Sequence, residues 1–184
     1  MNTPSLPSPV SGRILLLVSP ASTLPDLFDL VARLALQGSV CVFDGGNTFQ
    51  GYLLARSLRR QVPDPTAPLQ RVLLSRVFTC YQMAALLDSE SFPAHPILLL
   101  DFLATFYDQS VRVAERRRLL RGCLRRLREI SRRTPVAIWV QQRQVIPEEA
   151  LSFLDLVQSA AGQVWYPPRR PALPVAQQPA LFPL

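Results

Sequence analysis

The stretch Pro96-Ile97-Leu98-Leu99-Leu100-Asp101 sets four consecutive aliphatic residues between a proline and an aspartate. Such a run, with no polar alternation, predicts a strand buried on both faces, and strands of that kind belong to parallel sheets covered by helices. The pattern recurs on either side: RILLLV at 13–18, VCVFD at 40–44, a run at 72–75, PVAIWV at 135–140 and a short run at 164–166. Helical patterns lie between. Residues 24–36 carry Leu27, Phe28, Leu30, Val31 and Leu34 at helical spacing, and Gln37-Gly38 stops them. Residues 50–60 read as a helix ended by a loop with Pro63, Pro65 and Pro68; 81–87, 111–133 and 148–159 read as further helices. The alternation predicts a three-layer α/β domain, a mostly parallel sheet with helices on both faces. Functional residues should then gather at the carboxyl ends of the strands, at 19–23, 44–48, 76–79, 101–107 and 141–144.

The chain of 184 residues holds one domain of ordinary size, expected at 13–166, between Pro-rich tails at 1–12 and 167–184 that read as disordered. Cys41, Cys80 and Cys123 are odd in number, form no CxxC and sit in apolar runs, so buried reduced thiols in a reducing compartment are expected. The apolar run at 14–18 is too short for a secretion signal, and no segment nears the ~20 apolar residues of a bilayer span. The expectation is a soluble chain of the cytoplasm, near the nucleoid, or of the nucleus, neither secreted nor bound to membrane. All twenty basic residues are arginine, and the net charge is +7. Genome composition accounts for that bias as readily as function does. Either way, no mechanism that needs a lysine is open to this chain, and the charge favours a polyanionic partner. His95 is the only histidine, which leaves no triad and no ligand cluster; no catalytic residue, metal or cofactor is expected.

The strand ends carry a resemblance. Asp101 closes an aliphatic strand in the manner of a Walker B aspartate. Ser75-Arg76-Val77-Phe78-Thr79-Cys80-Tyr81-Gln82 is similar to the Arg-Ala-Phe/Tyr-Asn/Thr-x-x-Gln stretch after the third strand of the RecA/RadA-like recombinase family. Asp44-Gly45-Gly46-Asn47-Thr48-Phe49 is similar to that family's Asp-x-Glu-x-Thr-Phe, and Val140-Gln141-Gln142 stands where the family has an Asn-Gln sensor. The resemblance covers most of 13–166 and implies a RecA-like fold with a nucleotide site at Ser19, Ser22, Thr23, Asp44, Asp101 and Gln142. The site reads as degenerate. A P-loop needs glycines that let amides curl round phosphate, and a lysine to neutralise it. Here the turn is Ser19-Pro20-Ala21-Ser22-Thr23-Leu24-Pro25, and the family's catalytic glutamate aligns with Gly46. The chain is therefore expected not to hydrolyse ATP, and Asp44 and Asp101 to play structural roles.

The helix at 111–133 sets Val113, Leu120, Leu124 and Leu127 on one line, with Cys123 and Ile130 beside it. Arg117, Arg121, Arg125, Arg128 and Arg132 form a stripe on another face, with Arg118 alongside and only Glu115 and Glu129 to offset them. Two readings stand open: a solvated face of an arginine-rich chain, or phosphate contacts with nucleic acid. The resemblance places further nucleic-acid contacts in loops at 103–109 and 143–148. These carry Phe106 and Tyr107, suited to stacking on bases or to packing, and Arg143. The tail residues Leu181, Phe182 and Leu184 could serve as a docking peptide. The expected function is a catalytically inactive RecA-like accessory protein of DNA repair or recombination, binding DNA and pairing with a recombinase or another repair protein. The alternative is a protein-only adaptor on the same scaffold.

Overall fold

Buried apolar strands pair side by side and cover their two faces with helices, and that demand shapes this molecule. The structure is a computed structural model that describes residues 6–88 and 94–167. Its strands are β1 (Ile14–Ser19), β2 (Val40–Asp44), β3 (Val72–Arg76), β4 (Ile97–Leu100), β5 (Val136–Gln141) and β6 (Gln163–Trp165). Its helices are α1 (Leu24–Gln37), α2 (Gly51–Arg59), α3 (Thr66–Gln70), α4 (Cys80–Asp88), α5 (Val113–Ser131) and α6 (Ser152–Ala160). All strand pairs are parallel, in the order β3-β2-β4-β5-β1-β6. This is a three-layer α/β sheet of the RecA-like kind.

Every residue of β1, β2 and β4 is buried, as unbroken aliphatic runs require. The pleat divides them between two cores. Leu15, Leu17, Val42, Leu98 and Trp139 pack with α1 and α2; Leu16, Val18, Phe43, Leu99 and Ile138 pack with α4, α5 and α6. Connections that run one way along the sheet put α1 and α2 on one face, and those that run the other way put α4, α5 and α6 opposite, as right-handed crossovers demand. All six strands therefore end at one edge, where the loops carrying the polar residues collect. The three cysteines are buried and unpaired. No helix among the described residues is long and apolar enough to cross a membrane.

Three local features depart from the sequence reading. Leu6, assigned to a disordered tail, is only 3% exposed; it packs with the α1–α2 core, and Arg33 donates to its carbonyl at 3.0 Å. The Pro-rich loop after α2 contains the turn of α3, whose first amide, Thr66 N–H, is held by Asp64 Oδ1 at 2.9 Å. Residues 102–106, most of which fall in the loop expected at 103–109, form a 3-10 turn driven inward by Phe102, Leu103 and Phe106. The tail residues Leu181, Phe182 and Leu184 lie outside the described residues.

Candidate functional site

At the carboxyl edge, β1 ends in a hydroxyl chain. Trp139 Nε1 donates to Ser19 Oγ at 2.8 Å, and Ser19 Oγ lies 2.6 Å from Thr23 Oγ1, which donates to Pro20 O at 2.8 Å. Thr23 has spent its proton on Pro20, so Ser19 must be the donor between the two hydroxyls. Two backbone amides are committed as well: Thr23 N–H bonds Pro20 O and Leu24 N–H bonds Ala21 O, closing a 3-10 turn over Ala21–Thr23. An anion nest needs successive free amides converging on one point. In this turn Thr23 and Leu24 spend their amides on the turn's own carbonyls, and its two prolines have none. Ser22 is exposed and belongs to no hydroxyl chain.

Asp44, at the end of β2, is fully buried and saturated. Its Oδ1 accepts from Thr48 N–H at 2.9 Å and Thr48 Oγ1 at 3.2 Å, its Oδ2 accepts from Phe49 N–H at 2.9 Å, and Arg76 Nε stands 3.7 Å away. The carboxylate folds the β2–α2 loop, a structural duty. Asp101, just past β4, is 1% exposed and left-handed, with φ 46°. Its Oδ2 pairs with the Arg143 guanidinium, and its Oδ1 accepts from Gln141 N–H at 3.4 Å. Burial pushes its pKa up, against the pull of Arg143. Arg143 also lies over the Tyr107 ring, 5.8 Å from its centroid. Burial, then the Asp101 charge, push the Tyr107 phenol up to about 12.

Gly46, at the place of the family's glutamate, touches this cluster. A methyl carbon built there would lie 2.6 Å from Asp101 Cβ, so no side chain fits. The cation that a nucleotide site takes from magnesium is supplied here by the chain's own Arg143. The residues present therefore do not fit a magnesium nucleotide: the turn after β1 has neither glycine nor lysine, and the carboxylates of Asp44 and Asp101 already have partners within the chain. Asp44, Asp101 and Gln142 do stand at one edge, on the neighbouring strands β2, β4 and β5, and Gln142 N–H bonds Ser19 O at 2.9 Å across to β1. The Gln142 side chain faces solvent.

Six arginines of α5 and Arg132 at its C-cap divide into three groups that spacing alone does not separate. Arg117 Nη2 donates to Ser152 Oγ at 3.1 Å, and Arg128 reaches the last carbonyls of α6, Ser159 O at 2.6 Å and Ala160 O at 3.3 Å. These two fasten α6 to α5, Arg128 as a C-terminal cap. Arg118 pairs with Glu115 at 2.7 Å and Arg126 with Glu129 at 3.2 Å, which uses both helix carboxylates. Arg121, Arg125 and Arg132 are exposed and have no partner among the described residues. They form a ridge between two open grooves, one of about 630 Å³ toward α4 and one of about 410 Å³ toward α6.

Phe106 cannot stack on a base: it is wholly buried against Phe102, with ring centroids 5.3 Å apart. Tyr107 is half-buried and engaged with Arg143.

Arg116 was missed. It is 2% exposed, donates to Phe106 O at 3.1 Å and Glu149 Oε1 at 3.0 Å, and lies 5.9 Å over the Phe153 ring. It ties the loop after β4 to the loop after β5. The signal was present, since an arginine at 116 falls on the apolar line of α5 beside Leu120 and Cys123. No family model matches the chain, and a search of curated proteins finds no match.

Proposed function

We propose that this chain is a non-catalytic RecA-like accessory protein of DNA repair or recombination, which binds nucleic acid through α5 and works beside another repair protein, in the cytoplasm near the nucleoid or in the nucleus. One observation carries the reading: Arg121, Arg125 and Arg132 stand free in a line, with both carboxylates of the helix already taken by Arg118 and Arg126. Like charges at helical spacing repel, and phosphate oxygens relieve that repulsion while accepting the planar guanidinium fork. The self-satisfied cluster at Ser19, Asp44 and Asp101 supports a scaffold without phosphoryl transfer, because that chemistry relies on positioned charge that is not already neutralised within the chain.

The test is fluorescence anisotropy with labelled oligonucleotides at about 50 and about 200 mM salt, where phosphate-dominated binding falls steeply. The parent should bind, and the variant Arg121→Glu/Arg125→Glu/Arg132→Glu should lose binding with unchanged thermal unfolding. Binding that survives the triple reversal removes α5 as the site, and ATP-dependent phosphate release lost in Asp101→Asn would overturn the non-catalytic reading.

A second reading, a protein-only adaptor, is favoured by the sheet edge. β3 pairs only with β2 and leaves Leu73 and Leu74 exposed, with Phe78 beyond them. An edge strand with apolar side chains is suited to accept an extended peptide. A parent that binds no oligonucleotide at about 50 mM salt favours this reading.

A further inference from the structure

The groove between α4 and α5 has a floor of small residues. Ala84 comes from α4, and Ala114 and Gly122 from α5. Gly122 lies in the middle of a 19-residue helix, where glycine is less stable than alanine. Its backbone does not require glycine, since its φ lies outside the left-handed region, and a methyl carbon built there meets nothing within 4 Å. The chain's own packing therefore gives no reason for the missing side chain, whereas a ligand lying close to the helix backbone does. One wall is basic, made of Arg118, Arg121 and Arg125; the acidic residue among the lining groups is Asp88. On α4, Tyr81, Ala84 and Asp88 share a face at helical spacing, so Tyr81 stands one turn along from the floor. Tyr81 is 49% exposed and lies close enough to Arg118 to interact with it electrostatically.

We propose that this groove is a track for single-stranded nucleic acid, with phosphates on Arg121 and Arg125, a stretch of sugar and backbone over Gly122, and a base stacked on Tyr81. The proposal rests on the reading of α5 as a nucleic-acid face and specifies the ligand and its path. A single strand fits because its bases are free to stack on an aromatic ring, while those of a duplex are paired inside and leave only phosphates for the crest of the ridge.

The experiment titrates the full chain against a labelled oligothymidine and, separately, a blunt duplex of equal length. Gly122→Leu fills the floor with a good helix former and Tyr81→Ala removes the exposed ring, so neither threatens the fold. Each should weaken oligothymidine binding about fivefold or more, the lower range of base stacking on an aromatic ring, and leave duplex binding unchanged. The Arg121→Glu/Arg125→Glu/Arg132→Glu variant separates the two levels. If it loses binding while Gly122→Leu and Tyr81→Ala match the parent, the groove is wrong and the face stands. If all three variants match the parent, or the parent binds neither probe, both the groove and the face are overturned.

Discussion

Asp101 shows how an aspartate at the end of a buried aliphatic strand can serve the fold itself. Its φ of 46° belongs to the left-handed region, which aspartate and asparagine tolerate better than other side chains bearing a Cβ. The carboxylate is buried, partnered by Arg143 and packed against Gly46, so its bonds and packing tie loops together while its charge is a cost of burial. The raised pKa means that the fold disfavours the charged form even with Arg143 beside it. Asparagine keeps the backbone preference and removes the buried charge. Asp101→Asn should therefore raise the melting temperature at neutral pH. Asp101→Ala keeps neither benefit and should lose about 2 kcal/mol from left-handed strain and the lost bonds, roughly 4–8 °C for a chain of this size. The pH dependence has a fixed sign. A carboxyl raised in the fold costs nothing below its ordinary value of 3.8, and the cost appears as pH rises through the folded value. The parent should thus fall behind Asp101→Asn between acid and neutral pH, and the two should converge in acid. Thermal melts of the three proteins across that range check it; an Asn variant that melts well below the parent at neutral pH contradicts the argument.

At the scale of elements, the 19-residue α5 and its C-cap Arg132 carry four kinds of arginine: the buried Arg116, those that hold α6, those paired along the helix and those left without a partner among the described residues. Periodicity located the helix, its apolar line and its basic stripe. It did not separate Arg117 and Arg128 from Arg121, because their partners Ser152 and Ser159 lie 35 and 31 residues away on α6. Stacking and packing both stood open for Phe106 for a related reason: the strand-end position suggested a loop, but a largely apolar segment after a buried strand turns inward. The hydroxyl chain from Trp139 to Thr23 was illegible, since it depends on β5 lying beside β1, a matter of strand order. The polar residues at the strand ends were legible because parallel strands deliver their ends to a common edge. Arg116 is the element's internal fastening. Arg116→Met keeps the apolar bulk but leaves the Phe106 carbonyl without its donor, which costs about 1–3 kcal/mol. Glu149 is 42% exposed and can return to water, so the ion pair adds little to that loss. Denaturant unfolding should show the loss, and amide exchange should quicken at 102–107 and 148–153 while the strands stay protected. Uniform acceleration across the sheet would mean that Arg116 supports the whole core and not these two loops.

For the whole molecule the question is whether a net charge of +7 acts as a diffuse field or through a localised face. The sheet offers a clean separation, because it sets α2 and α5 on opposite layers. Arg56 and Arg59 on α2 are as exposed as Arg121 and Arg125 on α5, and each removes one positive charge when neutralised. A diffuse field responds to total charge, so Arg59→Gln and Arg121→Gln would weaken binding alike. A localised face responds only to the arginines that touch phosphate. The salt dependence counts those contacts. With Arg121 and Arg125 each neutralising one phosphate, log K against log salt should fall with a slope of about −1.4 for a single strand, near −0.7 per contact. Arg121→Gln should make that slope shallower by about 0.7, and Arg59→Gln should leave it where it was. Removing Arg121 or Arg125 also relieves like-charge repulsion on α5, a gain of about 0.2–0.5 kcal/mol in stability per pair. A variant that folds slightly better and binds clearly worse is the mark of charge kept for a partner. If Arg59→Gln flattens the slope as much as Arg121→Gln does, the attraction belongs to the molecule's overall charge and α5 has no special claim to it.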